Sequence, residues 1–195
     1  MFGIKFLHDD RSESSAGLQR DLGLTDSGSV VLDCLGNAKD FKDDIFDVLR
    51  GAPFLEDFQT EEIAYLCQYM TCFAASTFAN IFSEGESGDW LAIVLTGEVA
   101  VVKLDADGQE RILAHVGAGT IIGELSLLDG NPRFASCIAV KPTDIAVLGR
   151  DSVYKMLKDR PLLVTKFFWV LLQRMAVRQR STSINLLRHL PVLAT

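Results

Sequence analysis

The chain has 195 residues, of which 48% are hydrophobic and 23% are charged, so it can form one compact domain with an appendage but is short for two full domains. Its net charge of −7 disfavours binding to nucleic acid or to an anionic membrane, and it contains no run of 18 apolar residues. Because the opening residues MFGIKFLHDD are unlike a secretory signal, we expect a cytoplasmic protein.

The first 40 residues differ in composition from the rest of the chain. Residues 1–40 include stretches rich in Ser, Gly and Asp, which predicts a mobile N-terminal arm. From Asp40 onward apolar residues recur at helical spacing until Gly51, which predicts a short amphipathic helix. A second helix is predicted over about 60–70, with Thr60 as its N-cap residue. We therefore expect two short helices ahead of the main body.

The pattern then becomes typical of strands. Runs rich in Val, Ile and aromatic residues occupy 77–82, 90–95, 98–104, 110–116, 134–140 and 144–149. Glycines stand between or beside these runs at nearly regular intervals, at positions 85, 97, 108, 119 and 130. Regular turns at this spacing predict an antiparallel sandwich or barrel, and with the helices the fold class is α+β.

The helical period returns after Arg150. Asp151 is a candidate cap for a short helix, and Pro161 suits the first turn of a longer helix over about 160–190. The longer helix carries a seam with alternating spacings of four and three residues: Phe168, Leu172, Met175, Gln179, Thr182 and Leu186. Such a seam favours pairing with a second helix, and hence a homodimer, although it could also pack on the chain's own barrel.

Charge is distributed unevenly along the chain. Residues 51–160 contain eight basic and sixteen acidic residues, whereas residues 161–195 contain five basic and no acidic ones. The acid-free segment is either a solvated helix face or a surface for an unidentified protein partner.

No catalytic or metal-binding cluster can be assembled from the sequence. The cysteines at 34, 67, 72 and 137 form no CxxC pair, and the three histidines at 8, 115 and 189 are scattered. We also find no Ser-His-Asp or paired-carboxylate pattern. We therefore expect no enzyme activity, no metal and no cofactor, and we interpret the cysteines as buried reduced thiols.

Residues 121–136, IIGELSLLDGNPRFAS, carry the most informative motif. A glycine before a short helix leaves the backbone amides of residues 124–126 free to bind an anion. The guanidinium of Arg133 can hold two phosphate oxygens at once. Glu124 would repel a phosphate, so it fits a neutral hydroxyl beside it. The pattern predicts a ligand in which a singly charged phosphate adjoins a ribose, unless Glu124 and Arg133 only form an ion pair.

The order of helix, glycine-punctuated strands, GELSLL, PR and a long helix resembles the cyclic nucleotide-binding domain family over about residues 45–190. The resemblance implies a jelly-roll barrel with flanking helices, and it makes 41–195 one domain. It also implies that Gly123 and Leu125 give backbone contacts, that Glu124 holds the ribose 2′-hydroxyl and that Arg133 holds the cyclic phosphate. The run EGESGDWLAIVLTGEVAV (84–101) matches the family's turn and strand pair and is assigned a structural role.

Two further comparisons with the family concern the ligand. Thr182 and Ser183 fall where the catabolite activator protein has a Thr-Ser pair that reaches the adenine, which favours cAMP and a dimer. The family usually has Ser, Thr or Ala after the arginine, whereas this chain has Phe134, which offers no hydroxyl and argues against cGMP. Phe134 could also be ordinary strand core, and Thr182 only a polar residue of the seam. The candidate ligand-binding residues are Gly123, Glu124, Leu125, Ser126, Arg133, Phe134, Ala135, Thr182 and Ser183.

These observations lead to one main hypothesis and two alternatives. The main hypothesis is a stand-alone cAMP receptor, without a DNA-binding domain, that signals to a protein partner through its C-terminal helix. Its ligand could instead be another cyclic nucleotide, such as cyclic di-GMP. A ligand-free dimerisation or scaffold module of the same fold is the first alternative. Nucleic-acid binding through the basic tail is the second, and the acidic body argues against it.

Overall fold

The computed structural model of the chain describes residues 32–49 and 56–187, and it divides into two compact units after Lys155. The described strands are β1 (Asp33–Asn37), β2 (Thr71–Ala75), β3 (Asn80–Phe82), β4 (Trp90–Val94), β5 (Glu98–Leu104), β6 (Glu110–Gly117), β7 (Ile121–Ile122), β8 (Ser136–Ala139) and β9 (Thr143–Gly149). The described α-helices are α1 (Lys42–Leu49), α2 (Thr60–Cys67), α3 (Glu124–Asp129), α4 (Arg150–Asp159) and α5 (Pro161–Leu187).

The nine strands form two antiparallel sheets. One sheet has five strands in the order β1-β2-β9-β4-β7, and the other has four in the order β3-β8-β5-β6. Strands that are distant in sequence lie side by side, which is the jelly-roll arrangement that the resemblance implied. All five residues of β4 are buried, because Trp90, Ala92 and Val94 face the core cluster and helix α3 packs against the strand. The fold is therefore the α+β jelly-roll barrel with helices before and after it.

An apolar cluster of described residues fills the barrel. On β5 the side chain of Val99 belongs to this cluster and that of Val101 packs against it, as expected for alternate residues of one strand. Phe82 and Trp90 contribute aromatic rings that meet edge to face, with 5.5 Å between their centroids. This cluster forms the surroundings of the site described below.

The helix before β2 begins differently from our prediction. The N-cap residue of α2 is Gln59, not Thr60, because the Gln59 amide donates to the Glu62 carboxylate over 2.8 Å and completes a capping box. The helix ends at Cys67, and Thr71–Ala75 pairs with β9 as β2. Our helix over 60–70 was therefore three residues too long.

Other boundaries also shifted. All five predicted turn glycines have positive φ, as expected for glycines in tight turns between strands. Strand β3 is shorter than the predicted run 77–82, and β1, β2 and β7 were not predicted. Residues 33–37 of the predicted arm form β1, whereas residues 1–31 lie outside the described part. Helix α4 begins at Arg150, so Asp151 lies in its first turn and is not its cap.

Helix α5 has 27 residues and is about 40 Å long at 1.5 Å per residue. In its first eleven residues the positions 163, 164, 167, 170 and 171 are buried. From Leu172 to Leu186 every residue is exposed except Arg174 and Met175, which are half-buried. The helix therefore has an apolar buried first part and an exposed second part.

Candidate functional site

The residues at the centre of the site come from two segments that lie far apart in sequence. Residues 130–135, which precede β8 and are called the arm from here on, carry Arg133, and the turn after β3 carries Glu86. The amide of Arg133 donates to the carbonyl of Glu86 over 2.8 Å, and the amide of Gly85 donates to the carbonyl of Arg133 over 2.9 Å. This pair of backbone bonds fixes the position from which the Arg133 side chain leaves the chain.

Arg133 is only 3% exposed, and its side chain points into the barrel. Its guanidinium lies over two aromatic rings that meet edge to face, 4.3 Å from the Phe82 centroid and 4.2 Å from the Trp90 centroid. Nη1 donates to the carbonyls of Trp90 and Gly123, both over 2.8 Å. These contacts hold the planar group in one orientation through cation–π attraction and hydrogen bonds.

The other two nitrogens of the guanidinium, Nε and Nη2, are buried and have no hydrogen-bond partner. Burial lowers the pKa of Arg133 to about 10, opposed by the nearby Cys137, Asp89, Glu86 and Glu124. The side chain therefore stays charged at neutral pH with two donors unused. An unpaired buried donor costs about 1–3 kcal/mol, and more when it is charged, so this arrangement suits an anion that accepts from both nitrogens.

Two glycines allow the guanidinium to lie where it does. A Cβ atom on Gly88 would lie 2.2 Å from Arg133 Nε, and one on Gly123 would lie 2.5 Å from Nη1. Gly123 also has a φ of +75°, which L side chains rarely adopt. A side chain at Gly88 would therefore displace the guanidinium, and one at Gly123 would in addition strain the backbone.

The remaining predicted residues of the motif lie on or beside α3. Glu124 and Ser126 are buried at the start of that helix, whereas Leu125 is exposed. In the arm, Phe134 is 57% exposed and Ala135 is buried. The structure therefore brings Gly123 into direct contact with Arg133 and places Glu124 close enough to influence the pKa of Arg133.

Thr182 and Ser183 lie on α5, in the second compact unit, and both are exposed. The hydroxyl of Thr182 donates to the carbonyl of Arg178 over 3.0 Å, one helical turn earlier. Their predicted contact with the base stays a prediction.

Our assignment of residues 84–101 to a structural role missed part of the site. Gly88 and Trp90 touch Arg133, and Glu86 binds its backbone. The signal that could have indicated this was the run Ser-Gly-Asp-Trp at 87–90, where a glycine stands two residues before a large aromatic residue.

The described residues contain no group of three or more His, Cys, Asp or Glu side chains that could hold a metal ion. Within those residues no helix is long and apolar enough to cross a membrane. Cys67, Cys72 and Cys137 are buried and form no disulfide, and burial raises the pKa of Cys67 to about 11. His115 lies on β6, with Nδ1 3.1 Å from Glu98 Oε1.

Comparison with known proteins places these features in context. The family model described as "Cyclic nucleotide-binding domain" matches residues 76–160. A crystal structure of a cyclic nucleotide-binding domain from Methylobacillus flagellatus is 41% identical and has a TM-score of 0.74, and the match covers 84% of this chain and 92% of that one.

Two longer proteins are also similar. The cyclic AMP receptor protein of Thermus thermophilus is 30% identical over 71% of this chain and 63% of its own length. The cAMP-dependent protein kinase regulatory subunit of Yarrowia lipolytica is 30% identical over 56% of this chain and 28% of its own length. The chain thus spans less than two thirds of the length of these curated relatives.

Proposed function

The chain belongs to the cyclic nucleotide-binding domain family, and from this premise we propose that it is a cytoplasmic receptor for a cyclic nucleotide, most specifically cAMP. The observation that carries the proposal is the buried guanidinium of Arg133, whose Nε and Nη2 have no partner. A site built only for stability would not keep two charged donors unpaired in an apolar core.

A cyclic phosphate has the chemistry that these two donors need. It carries one negative charge and presents two exocyclic oxygens, which match the two parallel donors of a guanidinium edge. The carbonyls of Trp90 and Gly123 already occupy Nη1, so the free edge has a defined direction. A single buried arginine suits a phosphodiester better than a polyphosphate, which would need more positive charge.

The other residues of the site would contact the remaining parts of the nucleotide. Glu124 is buried at the start of α3, where it would accept a hydrogen bond from the ribose 2′-hydroxyl, and the backbone of Gly123 and Leu125 would contact the phosphate and ribose. Two features favour adenine over guanine. Phe134 has no hydroxyl to read a guanine edge, and the similar Thermus thermophilus protein is a cyclic AMP receptor.

We propose that the output is a shift of α5 and that the protein acts as a regulatory module, not an enzyme. Its exposed half carries basic residues and no acidic ones, which suits an acidic surface on a protein partner. The nucleotide would favour one position of this helix, with Thr182 and Ser183 as additional contacts to the base.

We also propose that α5 mediates a homodimer. Of the predicted seam, Leu172, Gln179, Thr182 and Leu186 are exposed, and Phe168 and Met175 are half-buried. Leu162 and Trp169 add exposed apolar surface at heptad spacing, 85% and 65% exposed. Sedimentation velocity with and without cAMP tests this arrangement, and a monomer under both conditions would exclude it.

Isothermal titration calorimetry tests the receptor function directly. We expect heat of binding and one site per chain with cAMP, weaker binding with cGMP and none with cyclic di-GMP. Absence of binding to all three nucleotides would contradict the proposal and favour the ligand-free scaffold module.

Two substitutions separate the receptor from the scaffold module. Arg133→Lys should weaken cAMP binding about tenfold or more, because an ammonium cannot replace the two-pronged contact. Glu124→Ala should weaken it about tenfold through loss of the hydroxyl contact. If both variants retain cellular function and the wild-type chain binds no nucleotide, the scaffold reading replaces the receptor.

A further inference from the structure

A second polar contact network ties the arm that carries Arg133 to the turn after β3. The Lys103 ammonium lies 2.6 Å from Glu84 Oε1 and donates to the carbonyl of Phe134 over 2.8 Å. The second oxygen of Glu84, Oε2, accepts from the amide of Leu104 over 3.0 Å. The amide of Glu84 donates to the hydroxyl of Ser136 over 2.9 Å. One lysine thus links the strand β5, the turn and the arm.

Lys103 lies on the inner side of its strand. Val99 and Val101 of β5 face the core of the barrel, and Lys103 follows them at the same two-residue spacing. Its ammonium ends over the ring of Phe134, 4.4 Å from the centroid. The cation therefore holds both the backbone carbonyl and the ring of Phe134, the residue that directly follows Arg133.

The ring of Phe134 is an unusual feature to leave exposed. It is 57% exposed although it directly follows the buried Arg133, and Lys103 supports it by the cation–π contact. A fixed aromatic ring with a free surface, one residue from a phosphate-binding group, suits stacking on a nucleobase, which needs no hydrogen-bond readout.

We infer that Lys103, held by Glu84, is a positioning residue that fixes Phe134 as the wall on which the base of the nucleotide stacks. This inference rests on the proposed function, because it concerns the base side of the same site. It assigns the discrimination between large and small bases to Phe134 and the order of that side chain to Lys103.

The chain contains a matched control for this contact. Lys141 pairs with Glu98 at the opposite end of β5. Glu98 stands five residues before Lys103, which places it about 17 Å from Lys103 along the strand. Lys141→Met removes a similar Lys–Glu pair without touching the arm or the turn. It therefore reports what the loss of such a pair does by itself.

The experiment measures affinities for cAMP and for cyclic CMP, whose base has a smaller face, in the full chain and in four variants. Phe134→Ala should weaken cAMP binding about tenfold and cyclic CMP binding about threefold, because the larger purine loses more stacking. Lys103→Met should weaken cAMP binding about fivefold. Like Phe134→Ala, it should lower the ratio of the cAMP affinity to the cyclic CMP affinity. Lys103→Arg should retain the wild-type ratio, and Lys141→Met should leave both affinities unchanged.

The outcomes distinguish failure of the inference from failure of the proposed function. If the wild type binds cAMP but Lys103→Met behaves like Lys141→Met, Lys103 has no positioning role. If Lys103→Met weakens both nucleotides equally, its effect is structural and the inference is wrong. If the wild type binds neither nucleotide, the proposed function fails and the inference fails with it. Melting temperatures of all four variants confirm that each one is folded.

Discussion

Two buried polar side chains in the same barrel have opposite surroundings. Thr143, which is 1% exposed, donates to the carbonyl of Lys141 over 2.7 Å and accepts from the amide of Glu98 over 3.2 Å. Arg133, which is 3% exposed, keeps Nε and Nη2 without partners. The two side chains are therefore about equally buried but differ in hydrogen bonding. The Thr143 hydroxyl is paired within the protein, whereas the Arg133 guanidinium needs an anion to complete its hydrogen bonds.

In both regions a glycine lets another part of the chain approach closely, but the approaching atoms differ. At the Thr143 end, a Cβ on Gly97 would lie 2.3 Å from the Pro142 carbonyl oxygen and 2.8 Å from Thr143 Cα. At the Arg133 end, the three atoms nearest to a Cβ on Gly88 would all belong to the guanidinium of Arg133. Substitutions at the first end should therefore change stability, and substitutions at the second should change binding.

The largest expected effect is that of Arg133→Met on binding. We expect cAMP affinity to fall about a thousandfold, within the range for removing one side of a buried charged contact. The unfolding free energy without ligand should stay within about 1 kcal/mol of wild type, because removal of the buried charge offsets the lost bonds to Trp90 and Gly123. Calorimetry and urea unfolding measure the two quantities.

A loss of several kcal/mol in the unfolding free energy of Arg133→Met would contradict the comparison. Arg133 would then be a structural residue like Thr143. Retained binding by a stable Arg133→Met variant would equally remove the proposed role of the free guanidinium edge.

The matched glycine substitutions Gly97→Ala and Gly88→Ala should give opposite results. Gly97 has a φ of +81° and meets backbone atoms, so Gly97→Ala should cost about 3 kcal/mol of stability. Gly88→Ala should displace the guanidinium and weaken cAMP binding about tenfold, with a smaller loss of stability. Urea unfolding and calorimetry on both variants check this prediction, and an equal loss of stability in both would refute it.

Removal of the Thr143 hydroxyl should have a moderate effect on stability alone. In Thr143→Val the amide of Glu98 loses its acceptor, which should cost about 1–2 kcal/mol of unfolding free energy. The cAMP affinity of the folded variant should equal that of the wild type. A reduced affinity at temperatures well below the melting point would show that the two ends of the barrel are not independent.

The smallest expected effect is that of pH near neutrality. Burial lowers the pKa of Arg133 to about 10, so the side chain is fully protonated between pH 6 and 8 and cAMP affinity should be constant there. Since an anionic ligand binds the protonated form, affinity should fall as the pH rises through about 10. Calorimetry across pH 6–10, with circular dichroism to confirm folding, measures this profile. A tenfold change between pH 6 and 8 would assign control of binding to another group, such as a histidine.

The sequence predicted the parts of the fold that local patterns determine. The five turn glycines have left-handed backbone conformations, and the helix predicted from Asp40 is present as α1. Strand β7 has two residues, and β1 contains a glycine at its irregular pairing with β2, so neither offers an alternating pattern long enough to detect. The capping of α2 by Gln59 was missed because Thr60 is the commoner N-cap residue type.

The candidate site was likewise predictable only where its residues lie close together in the sequence. The motif at 121–136 identified Gly123, Glu124 and Arg133 because glycine, carboxylate and guanidinium occur there within a short segment. The aromatic rings and the glycine around the guanidinium come from residues 82–90, and the pairing of β3 with β8 and of β4 with β7 brings these residues to it. A single sequence carries no local signal for such contacts, so the unpaired state of Nε and Nη2 became visible only in the folded chain.

The most direct test of the central claim is a crystal structure of the chain with cAMP. We predict that the two exocyclic phosphate oxygens lie within about 2.7–2.9 Å of Arg133 Nε and Nη2, while Nη1 keeps its bonds to Trp90 and Gly123. A bound nucleotide whose phosphate leaves Nε and Nη2 unpaired would contradict the account.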